Sequence, residues 1–186
     1  MSSITQIISF VAKSTVDFEY LSNAAKAGTK GLQRQFLGIG LEPNARAWLL
    51  EWDAETKSGI VDFEKILEPV TSEPIKNVHV AFSESLAPSL AAPVTEILFS
   101  KMKPEQDLVA FGKIASVSLQ DTIIQPGSLG TSWGYTSEIP KSVVLVVGWE
   151  NVEAHKNFAK TEFFRISCMP YLEGVTESSV SYYKFQ

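Results

Sequence analysis

Two side chains in this sequence could transfer a proton near neutral pH from positions inside predicted strands. His79 alternates with two valines, and an imidazole at such a position can act as a general base if it faces a pocket. Glu96 interrupts an otherwise apolar run, where burial would raise the pKa of its carboxyl and make it a base as well. Either residue could instead be structural, His79 as an edge-strand histidine and Glu96 as a hydrogen-bonded or exposed carboxylate.

Aromatic side chains supply the candidate ligand-binding surfaces. Trp133 and Tyr135 are two residues apart, so they share one face of a predicted strand and could stack on a flat substrate or fill the core. Trp149 and Phe158 are further candidates for the wall of a substrate pocket, although Trp149 has an equivalent in Trp52, and such recurrence also suits packing. An enzyme built from these groups would work mainly by shaping and desolvating its substrate.

Sequence patterns for other kinds of chemistry are weak or absent. The pair Gly38 and Gly40 and the pair Gly127 and Gly130 do not open a helix after a strand, so no dinucleotide-binding loop is predicted. The single cysteine, Cys168, excludes an internal disulfide and a multi-cysteine zinc site. The acidic residues lack metal-ligand spacing, and we expect neither a bound metal nor an organic cofactor.

The composition is typical of an ordinary globular chain. Of the 186 residues, 45% are hydrophobic and 20% are charged, which argues against disorder. The formal net charge of −5 comes without a basic run, so we expect no nucleic-acid partner. No apolar stretch approaches the roughly 20 residues of a membrane helix, and no secretory leader is visible. The sequence therefore predicts a cytoplasmic protein.

The segments that would position these residues occur twice along the chain. Residues 5–13 are similar to residues 95–103, and an apolar run that ends in Trp52 is similar to a run that ends in Trp149. A long period that occurs only twice indicates a duplicated domain, because solenoids need several shorter repeats. Each half is small for a complete core and would be stabilised by packing on its twin.

The two halves share one predicted order of elements, strand-helix-strand-strand-helix-strand. In the first half these elements cover about residues 4–12, 15–27, 33–41, 45–52, 60–67 and 77–83. In the second half they cover about residues 94–102, 105–119, 128–135, 142–150, 151–164 and 179–185. We therefore predict repeats over 1–84 and 94–186, joined by a linker over 85–93 that is rich in Ala, Ser and Pro.

This order of elements predicts an α+β fold made of two ferredoxin-like units. Each unit has a four-stranded antiparallel sheet with both helices on one face. The bare face of such a sheet is apolar and must be covered. Two units in one chain can cover each other by packing sheet to sheet, so we expect a monomer that contains an internal pseudo-dimer.

Residues 143–155 carry a resemblance to a known family. An apolar strand that ends in Trp149 and Glu150 is followed by a helix that begins Val-Glu-Ala-His. This pattern resembles the dimeric α+β barrel superfamily, in particular its antibiotic-biosynthesis-monooxygenase-like (ABM-like) domains. The resemblance covers the second half, and the first half follows more loosely through Trp52 and Asp53. It implies an intrachain dimeric α+β barrel with a small-molecule pocket between the helices and the sheet of each unit.

The resemblance also implies a choice of activities, which the aligned residues narrow. Members include cofactor-independent oxygenases, polyketide cyclases, haem-degrading enzymes and decarboxylases. Polyketide cyclases of this fold use a histidine on the first strand and a tyrosine and a histidine on the second helix. The aligned residues here are Glu96, Phe158 and Phe164, and the first half offers Gln6 and Phe63. That acid–base pair is therefore missing in both halves.

Haem-degrading relatives need an axial histidine on the second helix. Phe158 and Cys168 stand around the corresponding positions, whereas His155 lies in the first turn or two. A haem bound at this place would therefore have no axial histidine ligand. We expect His155 to be a solvated or capping-region histidine beside Glu153 and Lys156.

Two hypotheses of function remain. The first is a cofactor-independent enzyme of secondary metabolism that acts on a small apolar aromatic or polyketide-like metabolite, as a monooxygenase or as a cyclase or isomerase, assisted by Glu96 or His79. The second is a non-catalytic small-molecule-binding or stress-related protein with vestigial pockets. An enclosed pocket that reaches a His, Tyr or Glu favours the enzyme. Pockets plugged by Phe158, Phe164 and Trp149 favour the binding protein.

Overall fold

The computed structural model describes residues 3–13, 15–27, 30–53, 63–71 and 73–186. Their elements are, in chain order, β1 Ser3–Val11, α1 Phe18–Ala27, β2 Leu32–Gly40, β3 Ala45–Asp53, α2 Phe63–Leu67, β4 Lys76–Val80, α3 Ala87–Leu90, β5 Val94–Met102, α4 Leu108–Ile123, β6 Ser128–Tyr135, β7 Ser142–Trp149, α5 Val152–Phe158, α6 Glu162–Ser167, α7 Met169–Glu173 and β8 Val175–Phe185. The predicted order is confirmed in both halves. Residues 60–62 of the predicted helix over 60–67 lie outside the described residues. No helix in the described ranges is long and apolar enough to cross a membrane.

The eight strands form one antiparallel sheet that curls on itself. Its order is β4-β1-β3-β2-β8-β5-β7-β6, so β1 lies between β3 and β4 just as β5 lies between β7 and β8. Residues 38–40 pair with residues 183–185 and join the two halves along one edge. An isolated bridge between Val80 and Thr136 brings the outer edges together. The expected pair of facing sheets is therefore present, and edge pairing also links them into a barrel.

The apolar inner faces of the two half-sheets meet and form the central core. Ile7 of β1 and Ile97 of β5 occupy equivalent places, and both are fully buried there. Full burial of one such side chain stabilises the folded state by about 1.5–3 kcal/mol. The remaining buried members of this core are Ala47, Leu49, Val78, Val80, Leu86, Leu90, Val144, Val146 and Tyr183. Residues of both halves contribute, as the prediction of sheet-to-sheet packing requires.

A second core lies between sheet and helices in each half. Trp52 of β3 packs there in the first half and Trp149 of β7 in the second, with only 2% and 1% of their surface exposed. Along each strand alternate residues face the central core and the helices. The even-numbered positions of β5, which include Glu96, therefore point towards the helices of the second half.

One predicted helix of the second half is three helices in the structure. The sequence analysis expected a single helix over 151–164, but α5 ends at Phe158. Thr161 then caps α6, because its side-chain oxygen accepts a hydrogen bond of 3.0 Å from the Phe164 N–H. A third helix, α7, starts at Met169 with Pro170 in its first turn. The single-helix prediction was wrong, and the short helices α5, α6 and α7 take its place.

Residues 87–90 of the predicted linker form α3, which packs on the sheet. Leu86 and Leu90 belong to the central core, and the Thr95 hydroxyl donates a 2.7 Å hydrogen bond to the Ser89 carbonyl. The helix lies so close to β7 that a Cβ added at Gly148 would stand 2.8 Å from the Ser89 Cα. The linker segment thus contributes to the fold, while the predicted domain boundaries themselves stay a prediction.

Gly148→Ala should destabilise the protein, because its Cβ would also stand 2.9 Å from the Ala92 Cβ and backbone atoms cannot easily move aside. We expect a loss of about 1–3 kcal/mol in the free energy of unfolding, the usual cost of overpacking. Urea denaturation followed by circular dichroism measures it. Alanine is otherwise favoured over glycine in strands by roughly 0.5–1 kcal/mol, so an unchanged or raised stability would contradict the close packing of α3 on β7.

We propose that the chain is a monomer in solution, because each half-sheet already covers the apolar face of the other. Multi-angle light scattering should then give a mass near 20.5 kDa that does not change on dilution. A stable mass of twice that value at nanomolar concentration would contradict the proposal.

Candidate active site

A cavity of about 200 Å³ lies between the second half-sheet and helices α4 to α7. Strands β5, β7 and β8 supply its floor, and the four helices supply its walls. Its apolar lining is formed by Leu98, Leu119, Leu145, Val147, Trp149, Phe158, Phe164, Leu172 and Val180. Glu96 and His155 also border it. The cavity therefore combines an apolar interior with titratable groups at one place, an arrangement typical of small-molecule sites.

Glu96 is the buried acid of this cavity, with 6% of its surface exposed. On the adjacent strand it pairs with Val147, so Trp149, two residues further along the same face, lies diagonally opposite. The indole Nε1 of Trp149 donates a 2.8 Å hydrogen bond to Oε2 of Glu96. The sheet register thus gives the carboxylate one fixed donor.

Burial determines the protonation of Glu96. Loss of solvation raises the pKa of its carboxyl from 4.5 to about 7, and the hydrogen bond from Trp149 opposes part of that rise because it favours the ionised form. Near neutral pH the group can therefore both take up and release a proton. A base that titrates close to the working pH is the most effective one.

His155 of α5 lies beside this carboxyl. Its Nδ1 is 3.2 Å from Oε2 of Glu96 and 2.7 Å from the hydroxyl of Tyr182. The imidazole stacks on the Trp149 indole, with 5.2 Å between ring centroids and 12° between ring planes. Burial lowers the pKa of His155. Burial first, and then the charge of Glu96, raise the pKa of Tyr182 to about 12. Near pH 7 the histidine is therefore mainly neutral and the tyrosine keeps its proton.

Three polar groups further inside the cavity are already engaged. The Ser118 hydroxyl donates a 2.8 Å hydrogen bond to the Ser167 carbonyl, and the Thr122 hydroxyl donates a 2.7 Å bond to the Ser118 carbonyl. The Cys168 thiol lies 3.8 Å from the Thr122 hydroxyl, and burial raises its pKa, which keeps it a thiol. Glu96, with a pKa of about 7, is the group of this cavity that we consider for proton transfer.

The structure brings together three of the predicted site residues. Glu96, Trp149 and Phe158 all line the cavity. Phe158 packs edge to face on Phe164, with 5.3 Å between ring centroids, so these rings form part of the wall and leave the cavity open. The roles predicted for the three residues are consistent with this placement and stay predictions.

Trp133 and Tyr135 lie elsewhere. They share one face of β6, as predicted, and they pack edge to face on each other beneath α4. The Trp133 indole donates a 3.1 Å hydrogen bond to the Ser116 hydroxyl, and the Tyr135 hydroxyl donates a 2.6 Å bond to the Leu108 carbonyl. The two rings border a separate surface groove along α4. They are not among the residues that line the cavity at Glu96.

His79 is also apart from the cavity. It lies on β4 of the first half, where its Nδ1 contacts Oε1 of Glu138 and its backbone N–H donates a 2.9 Å hydrogen bond to the other carboxylate oxygen. It pairs with Gln6 as Tyr182 pairs with Glu96, so it is the first-half equivalent of Tyr182. Its predicted catalytic role stays a prediction.

Sequence reasoning missed His155 and Tyr182. His155 was expected to be solvated, but the chain turns back after Asn151, whose side chain accepts a 2.9 Å hydrogen bond from the Ala154 N–H. That turn lays the imidazole on Trp149. Tyr182 could have been found from the duplication, because a closing strand beside β5 places one of its residues opposite Glu96.

The first half contains a non-titrating version of the same contact. Gln6 aligns with Glu96 and is 2% exposed. Its Oε1 accepts a 3.0 Å hydrogen bond from Nε1 of Trp52, and its amide nitrogen donates a 2.9 Å bond to Oδ1 of Asn77. The tryptophan donor is thus retained in both halves, whereas the acid is present only in the second.

Comparison with solved structures supports the fold. An anthrone oxidase-like protein superposes with a TM-score of 0.70 at 12% identity, over all of this chain and 92% of the other. A proposed monooxygenase from Fusobacterium nucleatum gives 0.67 at 12% identity, over 99% of this chain and 92% of the other. The fold is that of a tandem dimeric α+β barrel. Both structures are similar over nearly their whole length, so the duplicated arrangement is shared and not only one unit of it.

The ABM-like resemblance is confirmed at the level of fold. An uncharacterised ferredoxin-fold protein from Listeria monocytogenes, described as related to antibiotic biosynthesis monooxygenases, gives a TM-score of 0.55 at 13% identity, over 98% of this chain and 95% of the other. No protein-family model matches this sequence, and no curated protein matches it. In the part of the chain that the structure describes, no group of three or more His, Cys, Asp or Glu side chains could hold a metal ion.

Glu96→Gln should change how stability depends on pH. Because the folded-state pKa is about 7 and the ordinary value is 4.5, the unfolded chain binds fewer protons between these values, and wild-type stability falls as pH rises through this range. The loss should reach roughly 3 kcal/mol above pH 7.

The Glu96→Gln variant has no carboxyl to ionise at this position, so its stability should not fall over this pH range. Gln6 shows that an amide oxygen can accept the hydrogen bond of the equivalent tryptophan, Trp52. Urea denaturation at several pH values should show the variant and the wild type equally stable near pH 4.5 and the variant more stable at pH 8. If the stabilities of the two proteins instead changed with pH in the same way, the pKa of Glu96 would not differ between the folded and the unfolded chain.

Proposed function

We propose that the chain is an enzyme that deprotonates a small, apolar aromatic or polyketide-like substrate without a bound cofactor, and that Glu96 is the base. The observation that carries the proposal is a buried carboxyl with a pKa of about 7 in the wall of an apolar cavity. Burial of such a group costs stability. Strongly perturbed acids in clefts are accordingly common at active sites.

The cavity favours removal of a proton from a weakly acidic C–H or O–H bond. The substrate's apolar frame would pack against walls such as Phe158 and Leu145, and its acidic bond would lie at the Glu96 end. Ionised Glu96 takes the proton, which leaves the electron pair of that bond on the substrate as a phenolate or a stabilised carbanion. An apolar surrounding excludes water that would compete for the base.

Oxygenation is the reaction that we favour after this step. The carbanion of an activated CH₂ group can give electrons to dioxygen, so that CH₂ and O₂ become C=O and H₂O. One oxygen atom enters the product, the other leaves as water, and the substrate supplies all four electrons. No redox cofactor is needed. The names of similar structures, an anthrone oxidase-like protein and a proposed monooxygenase, support this choice.

Cyclisation or isomerisation would begin with the same proton transfer and would consume no oxygen.

A second candidate function, non-catalytic binding, is favoured by one observation in the first half. Gln6 stands there in place of the acid, and an amide cannot accept the substrate proton. We therefore propose that the first half does not catalyse this reaction and that the activity belongs to the second half.

Glu96→Gln should lower turnover about a hundredfold, the usual contribution of a general base, and should leave ligand binding nearly unchanged. Oxygen uptake with anthrone as probe measures turnover, product mass distinguishes oxygenation from cyclisation, and calorimetry measures binding. Wild-type turnover should also rise with pH through about 7, as Glu96 ionises.

Gln6→Glu is the matched control, since it restores an acid beside Trp52 but outside the cavity of the second half. Its turnover should equal that of the wild type. Equal turnover of Glu96→Gln and the wild type would overturn the proposal. Binding of anthrone without oxygen uptake or a new product would favour the binding protein.

A further inference from the structure

We infer that His155 carries the proton from Glu96 to solvent, and that Tyr182 and Trp149 hold its ring in place for this transfer. The inference rests on the proposed role of Glu96 as base and adds the path by which that base is regenerated. A base must lose its proton after every turnover. Only 6% of the Glu96 surface is exposed, so a neighbouring side chain that reaches the edge of the site is well placed to carry its proton.

The contacts of Glu96 leave His155 as that carrier. Oε2 receives a hydrogen bond from the Trp149 indole, but an indole N–H can only donate and cannot accept a proton. His155 Nδ1 lies 3.2 Å from the same oxygen, and an imidazole nitrogen can accept. The His155 side chain is 18% exposed, so it reaches from the buried carboxyl to the edge of the site. The other titratable groups near this pair are Tyr182 on β8 and the Cys168 thiol of the same cavity.

Tyr182 fixes the protonation of the ring. Its phenol keeps its proton near pH 7 because its pKa is raised, so its hydroxyl can donate to Nδ1 at 2.7 Å. That bond favours the tautomer with hydrogen on Nε2, which keeps a lone pair on Nδ1. Nδ1 has one lone pair, so the O–H of protonated Glu96 must replace the Tyr182 hydroxyl on it before the proton is transferred. A hydroxyl can also accept. The same contact therefore stabilises the ring after Nδ1 has received a proton.

The transfer has two steps that balance. The O–H bond of protonated Glu96 breaks and an N–H bond forms at Nδ1 of His155, which gives a carboxylate and an imidazolium. The imidazolium then gives its Nε2 proton to water at the edge of the site, which leaves the neutral ring with hydrogen on Nδ1. Exchange with water returns the ring to the tautomer with hydrogen on Nε2 before the next turnover. Burial lowers the pKa of His155, so the imidazolium is short-lived and releases its proton readily. Stacking on Trp149 holds the ring plane through both steps.

The coupling of the two groups can be measured without substrate. In ¹⁵N NMR titrations of the wild type, the His155 ring nitrogens should shift in a step near pH 7, where Glu96 titrates. Glu96→Gln should remove this step. Tyr182→Phe, which keeps the ring and loses the hydroxyl, should move the tautomer balance towards hydrogen on Nδ1. A wild-type ring that shows no step near pH 7 would overturn the inference.

Turnover gives a second, independent measurement. His155→Ala should lower anthrone oxidation at least about tenfold, within the range of assisted proton transfer, and added imidazole should restore much of it by occupying the vacated space. His155→Phe is the matched control, because it keeps an aromatic ring on Trp149 and leaves no space. It should be equally slow and should not respond to imidazole.

The outcomes separate this inference from the proposed function. If Glu96→Gln is slow while His155→Ala is as fast as the wild type, Glu96 is the base and His155 is not its carrier. If His155→Ala is slow but imidazole restores nothing, His155 has a structural role and the inference fails. If Glu96→Gln is fully active, the proposed function fails. The NMR titration still shows in that case whether the ionisation of Glu96 is coupled to the His155 ring.

Discussion

Each half-sheet of this protein has helices on one face only, and its other face is apolar. Covering that second face is the constraint on which the rest of the structure depends. The two halves satisfy it by turning their inner faces towards each other, and β8 extends the contact by pairing with β2 as well as with β5. Gly38 is part of this seam. A side chain there would stand 2.6 Å from the Phe185 ring, which packs against the central core.

The same constraint decides where a ligand can bind. With the inner faces filled by each other, the space left for a small molecule lies on the helix side of a half-sheet. There the strand register aligns Glu96 with Trp149, and the helix that follows Trp149 turns back over it. One tryptophan thus serves two functions, since it donates to the carboxylate and supports the imidazole. An acid can remain buried among leucines and phenylalanines because its one fixed donor belongs to the sheet itself.

The sequence was sufficient for the order of elements, the duplication and the facing sheets. These follow from local periodicity and from comparison of the two halves. The order of strands in the sheet does not. Trp133 and Tyr135 do face the helices, but β6 lies beyond β7, on the side away from β5 and β8, so they are covered by α4. The break after Phe158 was missed because it depends on one capping threonine within an otherwise helical segment. His155 was missed because its environment is made by a chain reversal, not by its sequence neighbours.

The pair formed by Gln6 and Glu96 has a consequence for how such a protein can change over time. In an assembly of two identical chains, every substitution alters both sites at once, so a base cannot be lost from one without being lost from the other. Here the two versions are encoded separately within one chain. One copy can accumulate changes that favour rigidity, such as the amide that links Trp52 to Asn77, while the other keeps a carboxyl that is harder to bury. Covalent duplication therefore relieves a symmetric barrel of the need to be equally reactive on both sides.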